Sequence, residues 1–118
     1  MGKSFIMHMF IKEQIMNGVK MNFARIVPTK ALINEMRTDT INDLKNILEE
    51  QNYRVVTAAS DISLEGKPQF ILIMTPERLL YFLISNPDFQ LDYLFIDEAH
   101  KIGGRNSRGL FTTRLLIF

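Results

Sequence analysis

Hydrophobic positions in residues 30–51 recur every three or four residues, which places them on one face of a helix. A polar pair interrupts this pattern. Thr40 followed by Asp43 resembles a capping box, in which a threonine begins a helix and a polar residue three positions later bonds back to it. The stretch therefore indicates two helices with a break near Thr38.

Both ends of the chain also predict helices. Residues 4–16 are broadly apolar, and Asn17 followed by Gly18 is a typical helix end. Residues 109–118 are again mostly apolar and predict the start of a further helix.

Short continuous apolar runs between these stretches predict strands. Such runs are typical of strands covered on both faces, as in parallel α/β sheets, where ligands bind at the carboxyl ends of the strands. Thr75 and Pro76 follow one run and form a typical helix start, so residues 77–85 predict a helix. The predicted strands cover residues 23–29, 53–59, 69–75 and 91–97.

The composition indicates one globular domain, residues 1–118, because 47% of the residues are hydrophobic and 23% are charged. The net charge of +1 does not identify a partner. The charged residues from Lys101 onward are all cations, as expected near a polyanion or on a solvated surface.

The absence of cysteine excludes disulfides and a thiol nucleophile. Polar residues such as His8 and Lys12 exclude a signal peptide or membrane span at the start, so we expect a cytoplasmic protein without membrane contact.

Two adjacent acids, Asp97 and Glu98, follow the last predicted strand. Neighbouring residues at a strand end point in different directions, so the two carboxylates are able to do different work. One is suited to hold hydrated Mg²⁺, and the other to orient or deprotonate a water for attack on a phosphoryl group. An acid pair of this kind is also common in solvated turns.

Gly2, Lys3 and Ser4 open the first predicted helix and match the end of the phosphate-binding pattern G-x-x-x-x-G-K-[ST]. In that pattern the lysine neutralises phosphate charge, the hydroxyl binds Mg²⁺, and the helix start adds its positive dipole end. A tripeptide also arises by chance, but its combination with an apolar strand that ends in two acids favours a nucleotide site.

The order of four segments resembles the consecutive motifs of superfamily 2 helicases of the DEAD/DEAH-box type. After "GKS", the chain carries "VPTKAL" at 27–32, "MTPERLL" at 74–80 and "LFIDEAH" at 94–100. The resemblance covers essentially the whole chain, as part of the first of the family's two RecA-like domains. It implies an incomplete α/β fold of the RecA-like P-loop NTPase type, a three-layer αβα sandwich with a mostly parallel sheet. It also implies ATP hydrolysis coupled to remodelling of DNA or RNA.

The resemblance further implies roles for residues of an ATP and Mg²⁺ site. The residues that match the end of the phosphate loop are Gly2, Lys3 and Ser4. Asp97 matches the acid that holds Mg²⁺ together with Ser4, and Glu98 matches the residue that activates the hydrolytic water. The resemblance makes Lys3 a catalytic residue together with Asp97 and Glu98. His100 matches the position that links the nucleotide site to neighbouring motifs.

Two motifs are expected to contact the sugar-phosphate backbone of one nucleic-acid strand without reading its sequence. Thr75 and Pro76 also suit a helix cap without nucleic acid, and Lys30 also suits a solvated helix start. The residues of the two motifs are Pro28, Thr29, Lys30, Thr75, Pro76, Glu77 and Arg78.

The chain departs from the family pattern in several places. The first glycine of the phosphate loop, the strand that leads into it, the second RecA-like domain and that domain's arginine finger have no counterpart here. Lys30 replaces the usual arginine, which keeps the charge but loses the bidentate geometry. We therefore expect unpaired sheet edges that favour self-association, and little ATPase activity from this chain alone.

Two alternatives remain open from the sequence. The chain is a non-catalytic remnant that keeps part of a nucleic-acid-binding surface, or it is another P-loop ATPase in which the nucleic-acid motifs are coincidental. His8 lies within the first apolar helix. A position in the core or at its edge is a simpler interpretation of this residue than a role as a ligand.

Overall fold

The computed structural model describes residues 2–18, 20–63, 65–96 and 114–117, in which helices and strands alternate along the chain. The first four strands are those that the apolar runs predicted, each shorter than its run. The elements are α1 (Gly2–Met16), β1 (Phe23–Ile26), α2 (Ala31–Glu50), β2 (Tyr53–Val56), a 3-10 helix (Ala59–Asp61), β3 (Gln69–Met74), α3 (Pro76–Ser85), β4 (Tyr93–Ile96) and β5 (Arg114–Ile117).

The strands form one sheet in the order β2-β3-β1-β4-β5, and every neighbouring pair is parallel. All four residues of β4 and all but the first residue of β3 are buried. Continuous apolar runs suit strands that are covered on both faces, as these are. The prediction of a parallel α/β sheet is confirmed.

Helices cover both faces of the sheet. Met7 and Ile11 of α1 and Leu44 of α2 pack on one face, whereas Leu79 and Phe82 of α3 pack on the other. From β1 the chain passes through α2 to β2, which lies on one side of β1 in the sheet. From β3 it passes through α3 to β4, which lies in the opposite direction across the sheet. Because both connections join parallel strands and such connections are right-handed, the two helices lie on opposite faces. The result is a three-layer αβα sandwich.

Successive side chains of a strand point to opposite faces of the sheet. On β4, Tyr93 and Phe95 point towards α1, and Leu94 and Ile96 point towards α3. The ring of Phe10 in α1 stands edge-on to both aromatic rings, with centroid distances of 5.2 Å to Tyr93 and 5.9 Å to Phe95. These contacts place α1 directly over β4.

The predicted ends of α1 and α3 are confirmed. α1 ends at Met16, and Gly18 follows with a φ of +79°, a conformation that glycine adopts without steric cost. α3 begins at Pro76, which occupies the first turn, and ends at Ser85.

The predicted break near Thr38 is wrong. The helix of residues 31–50 continues through Thr38 and is instead kinked at Lys45 (φ 23°, ψ −109°), so the break between its two helical stretches lies seven residues further on. The capping-box pattern was misleading because its two polar side chains do not begin a helix. They serve a contact between helices instead.

That contact centres on His8 of α1, which is 2% exposed. The Thr40 hydroxyl donates to the Met36 carbonyl at 2.7 Å, and its oxygen lies 3.1 Å from Nε2 of His8. Nδ1 of His8 lies 2.5 Å from a carboxylate oxygen of Asp43. Both ring nitrogens of His8 thus have a hydrogen-bond partner on α2. His8 is a structural residue, in agreement with the simpler interpretation of the sequence.

The predicted C-terminal helix is also wrong. Residues 114–117 form the strand β5, which pairs in parallel with β4 through partners that include Leu94 with Leu115 and Ile96 with Ile117. A short apolar run fits either a strand or a buried helix, and here the open side of β4 decides between them. The edges of the sheet are β2 and β5.

Within the described part of the chain, no helix is both long enough and apolar enough to cross a bilayer. The longest helix, α2, carries charged residues along its whole length.

Candidate functional site

The carboxyl ends of β3, β1 and β4 lie side by side, because β1 pairs with β3 on one side and with β4 on the other. Ile26 and Met74 are register partners, and the amide of Val27 donates to the carbonyl of Met74 at 3.0 Å. The segments that follow β1 and β3 therefore leave the sheet at the same position along the strand direction. We call this side of the sheet the carboxyl edge.

The beginning of α1 lies towards the same edge. α2 follows the carboxyl end of β1 and leads to the start of β2. It therefore runs from the carboxyl edge to the opposite side of the sheet, where the strands begin, which we call the amino edge. α1 ends six residues before β1 starts and therefore runs in the same direction, beside α2. The N-termini of both helices consequently face the carboxyl edge, where their positive dipole ends favour anions.

The position of α1 over β4 brings its first turn close to the end of that strand. Phe10 lies over Phe95, and α1 extends from Phe10 towards the carboxyl edge by about 12 Å before it reaches Gly2. Asp97 is the first residue after β4 in the sequence. The backbone thus leads the predicted phosphate-binding tripeptide to the end of the sheet where β4 ends.

Three residues of the predicted nucleotide site, Asp97, Glu98 and His100, lie outside the described residues. Gly2, Lys3 and Ser4 form the first turn of α1, as the sequence predicted. Their catalytic and binding roles stay predictions.

The segment after β1 exposes its polar residues. Val27 is buried against Ile33 and Ile73, whereas Pro28, Thr29 and Lys30 are exposed. Lys30 occupies the N-cap position of α2, and its amine has no ion-pair partner among the described residues. A free cation at a helix start is well placed for an anionic group.

The segment after β3 begins with Thr75, which is buried and stands at the N-cap of α3 with φ −71° and ψ 160°. Its carbonyl accepts the hydrogen bond from the Leu79 amide at 3.0 Å, but its hydroxyl makes no capping bond. Glu77 and Arg78 follow on the exposed side of the first turn. The helix-start prediction is confirmed, and side-chain capping does not account for the threonine.

The family model of the DEAD/DEAH box helicases matches residues 1–116. This chain belongs to the DEAD/DEAH box helicase family. The three-layer fold with its parallel sheet is accordingly a partial RecA-like fold. No curated protein matches the chain.

Helicases of this family generally use ATP together with Mg²⁺. No group of three or more histidine, aspartate or glutamate side chains in the described residues is arranged to hold a metal ion. The ligands that the sequence predicts, the Ser4 hydroxyl and the Asp97 carboxylate, are oxygen donors of the kind that Mg²⁺ takes, and Mg²⁺ usually keeps several waters besides. The donor set therefore fits a hydrated magnesium ion better than an ion held in an all-protein cage.

A depression at the carboxyl edge of the helicase-family domain was missed by the sequence analysis. It has a volume of about 360 Å³ and lies between the end of β2 and the first turns of α3. Six residues line it: Ala58, Ala59, Met74, Glu77, Arg78 and Tyr81. A signal was present in the sequence, because residues 57–59 are the carboxyl end of a predicted strand and Tyr81 lies one helical turn after the TPER segment.

Proposed function

We propose that this chain supplies the nucleotide site and part of the single-strand-binding surface of an ATP-driven nucleic-acid helicase. One observation carries the proposal: the ends of β1, β3 and β4 and the start of α1 all lie at one edge of the sheet. A single edge is thus available to both ATP and nucleic acid, as coupling between them requires. The match to a helicase family model also disfavours an unrelated P-loop ATPase.

In the nucleotide half of the site, the backbone amides at the start of α1 bind phosphate oxygens, and Lys3 adds a positive charge to them. Glu98 orients the attacking water and accepts a proton from it. Ser4 and Asp97 would hold a hydrated magnesium ion. That ion would supply positive charge to offset the negative charge that develops during phosphoryl transfer. His100 links this half to the neighbouring segments.

In the nucleic-acid half, Lys30 and Arg78 are the cations on the exposed segments that follow β1 and β3. They attract the phosphates of one strand, and the hydroxyls of Thr29 and Thr75 are suited to donate to phosphate oxygens. Contacts of this type fix the position of a strand without reading its bases. The surface therefore suits a motor that moves over any sequence of DNA or RNA.

Full activity needs a second RecA-like domain that supplies an arginine finger across the nucleotide. Such a residue contributes roughly 10³–10⁵ in rate in related phosphoryl-transfer enzymes. We therefore expect binding of ATP by this chain and very slow hydrolysis.

A thermal-shift experiment with two ligands tests both halves. Binding to the folded state alone raises stability by about 2.7 kcal/mol at a ligand concentration 100-fold above Kd. We expect Mg²⁺-ATP and a short single-stranded oligonucleotide each to raise the melting temperature. Lys3→Ala should abolish the first shift and keep the second, whereas Lys30→Ala should weaken the second and keep the first.

Lys20→Ala provides a matched control, because Lys20 is exposed and lies in the loop between α1 and β1 at the opposite edge. It should leave both shifts unchanged. An oligonucleotide shift without any ATP shift would instead support the non-catalytic remnant. The absence of both shifts in a folded protein would contradict the proposal.

A further inference from the structure

Tyr81 is the most exposed of the large apolar or aromatic residues outside the masked parts of the chain, with 71% of its surface accessible. It lies in α3, three residues after Arg78 and four after Glu77, and residues at these spacings share one helix face. All three side chains line the same depression. The ring therefore stands in solvent beside a cation, one helical turn from the segment that the proposed function assigns to the nucleic-acid backbone.

The chemistry of the depression does not suit a phosphate. Glu77 and Arg78 contribute opposite charges, so the lining carries no net charge to attract an anion. Ala58, Ala59 and Met74 add only small or apolar side chains, which allow close approach. The volume of about 360 Å³ falls in the range of small-molecule sites. A flat, neutral group with polar edges fits this lining best.

We propose that Tyr81 stacks on a nucleobase of the bound single strand. This inference rests on the proposed function, because it assumes that Lys30 and Arg78 hold the phosphates of that strand. Arg78 belongs both to the backbone-binding segment and to the depression, so the two surfaces are continuous. A strand that crosses the carboxyl edge turns one base into the depression, where the ring faces it and Arg78 adds a cation–π contribution.

Stacking on Tyr81 changes what the surface recognises. Backbone contacts alone bind any polyanion of suitable spacing, whereas a stacking residue requires a base. Every base offers a π-face, so the requirement is general and not sequence-specific. The site thereby distinguishes a nucleic acid from other polyanions without limiting the motor to particular sequences.

The test compares a short labelled oligothymidylate with the same sugar-phosphate chain that lacks its bases. For the wild-type protein we expect tighter binding of the oligothymidylate by about 5- to 150-fold, which corresponds to the ~1–3 kcal/mol that a stacked base contributes. Tyr81→Ala should bring this ratio close to one. Tyr81→Phe should keep the ratio because it keeps the ring, and Tyr81→Leu should lose it.

Ile84→Ala is the matched control. Ile84 lies one turn further along α3 and is 70% exposed, but it does not line the depression. Its removal should leave the ratio unchanged. Lys30→Ala should weaken binding of both oligonucleotides by the same factor, since it acts on phosphates.

The outcomes separate this inference from the proposed function. If the wild type binds both oligonucleotides equally, or if Tyr81→Ala weakens both to the same degree, the stacking role is wrong while backbone binding stands. If a folded wild type binds neither oligonucleotide at low salt, both proposals are wrong. Unchanged binding of the oligothymidylate by Tyr81→Ala would likewise contradict the stacking role.

Discussion

The amino edge and the carboxyl edge, where the strands begin and end, differ in what their polar groups bind. At the amino edge, Asn22 ties three strands together: its Nδ2 donates to the Gln90 carbonyl and its Oδ1 accepts from the Phe70 amide, each at 2.8 Å. Its own amide donates to the Asp92 carboxylate, also at 2.8 Å, and its carbonyl accepts from the Asp92 amide at 3.0 Å. The amino edge is therefore a connected hydrogen-bond network.

The carboxyl edge also carries polar side chains, and most of those on the segments after β1 and β3 are exposed. Within the described residues, the side chains of Thr29, Lys30, Glu77 and Arg78 make no hydrogen bond or ion pair. The difference shows that one edge stabilises the fold while the other keeps its donors and charges available for ligands. Ligand sites at the carboxyl ends of parallel strands follow this division.

The largest effect on stability is expected from Asn22→Ala. The change removes two hydrogen bonds and leaves the Phe70 amide without its acceptor at the start of β3. Each lost bond costs roughly 1 kcal/mol, and an unsatisfied amide adds to this. We expect a loss of about 2–3 kcal/mol in the free energy of unfolding, measured by urea denaturation.

Asn17→Ala is the control for this prediction. Asn17 is exposed just after α1, and its backbone amide donates to the Glu13 carbonyl at 3.0 Å, whereas its side chain makes no hydrogen bond to the described residues. Its replacement should change stability by less than about 0.5 kcal/mol. Equal effects of the two substitutions would show that the network at the amino edge does not stabilise the fold.

A smaller effect is expected from Tyr53→Phe, also at the amino edge. The Tyr53 hydroxyl accepts a hydrogen bond from the Met21 amide at 3.1 Å, and its loss costs about 1 kcal/mol near neutral pH. Burial raises the pKa of the Tyr53 phenol above its usual value of 10, despite the opposing effect of the Met21 bond, and the Asp92 carboxylate raises the pKa further.

This raised pKa gives the prediction a pH dependence. The contribution of a group with a raised folded-state pKa is complete below the unfolded pKa, about 10, and is lost as the pH rises from there through the folded pKa. The stability advantage of the wild type over Tyr53→Phe should therefore shrink above about pH 10. Lysine titration cancels in the difference. An advantage that grows with pH would contradict the assignment.

The smallest effect on stability, but a clear effect on binding, is expected at the carboxyl edge. Lys30→Ala and Arg78→Ala should each change the free energy of unfolding by less than about 0.5 kcal/mol. Each should also reduce the slope of log affinity against log salt for a single strand by about 0.7. Fluorescence anisotropy over a series of salt concentrations measures the slope. A large loss of stability would show that the two edges do not divide these tasks.

The sequence was sufficient for most of the fold. Continuous apolar runs predicted β1 to β4, and strong start and end signals predicted the bounds of α1 and α3, because these features depend on local chemistry. β5 and the position of the break in α2 were not predictable in this way. β5 depends on the open side of β4, and Thr40 and Asp43 depend on a histidine more than thirty residues earlier in the chain.

The candidate site shows the same limit. The polar segments after β1 and β3 could be located because they follow strands, and the sheet order then brings them together. Asn22 gave no signal, since a single asparagine before a strand is unremarkable until its partners from β3 and β4 are known. The depression depends equally on distant segments, as Ala58 and Tyr81 become neighbours only in the folded chain.

The buried imidazole between the first two helices restricts how the proposed nucleotide site is able to move. A slide of α1 along α2 by one residue would shift it by about 1.5 Å, which is more than the two bonds of His8 tolerate. Any displacement that keeps these bonds must carry both helices together. The turn that holds Lys3 is thereby tied to the turn that presents Lys30, because the contacts of His8 join the two helices that carry them.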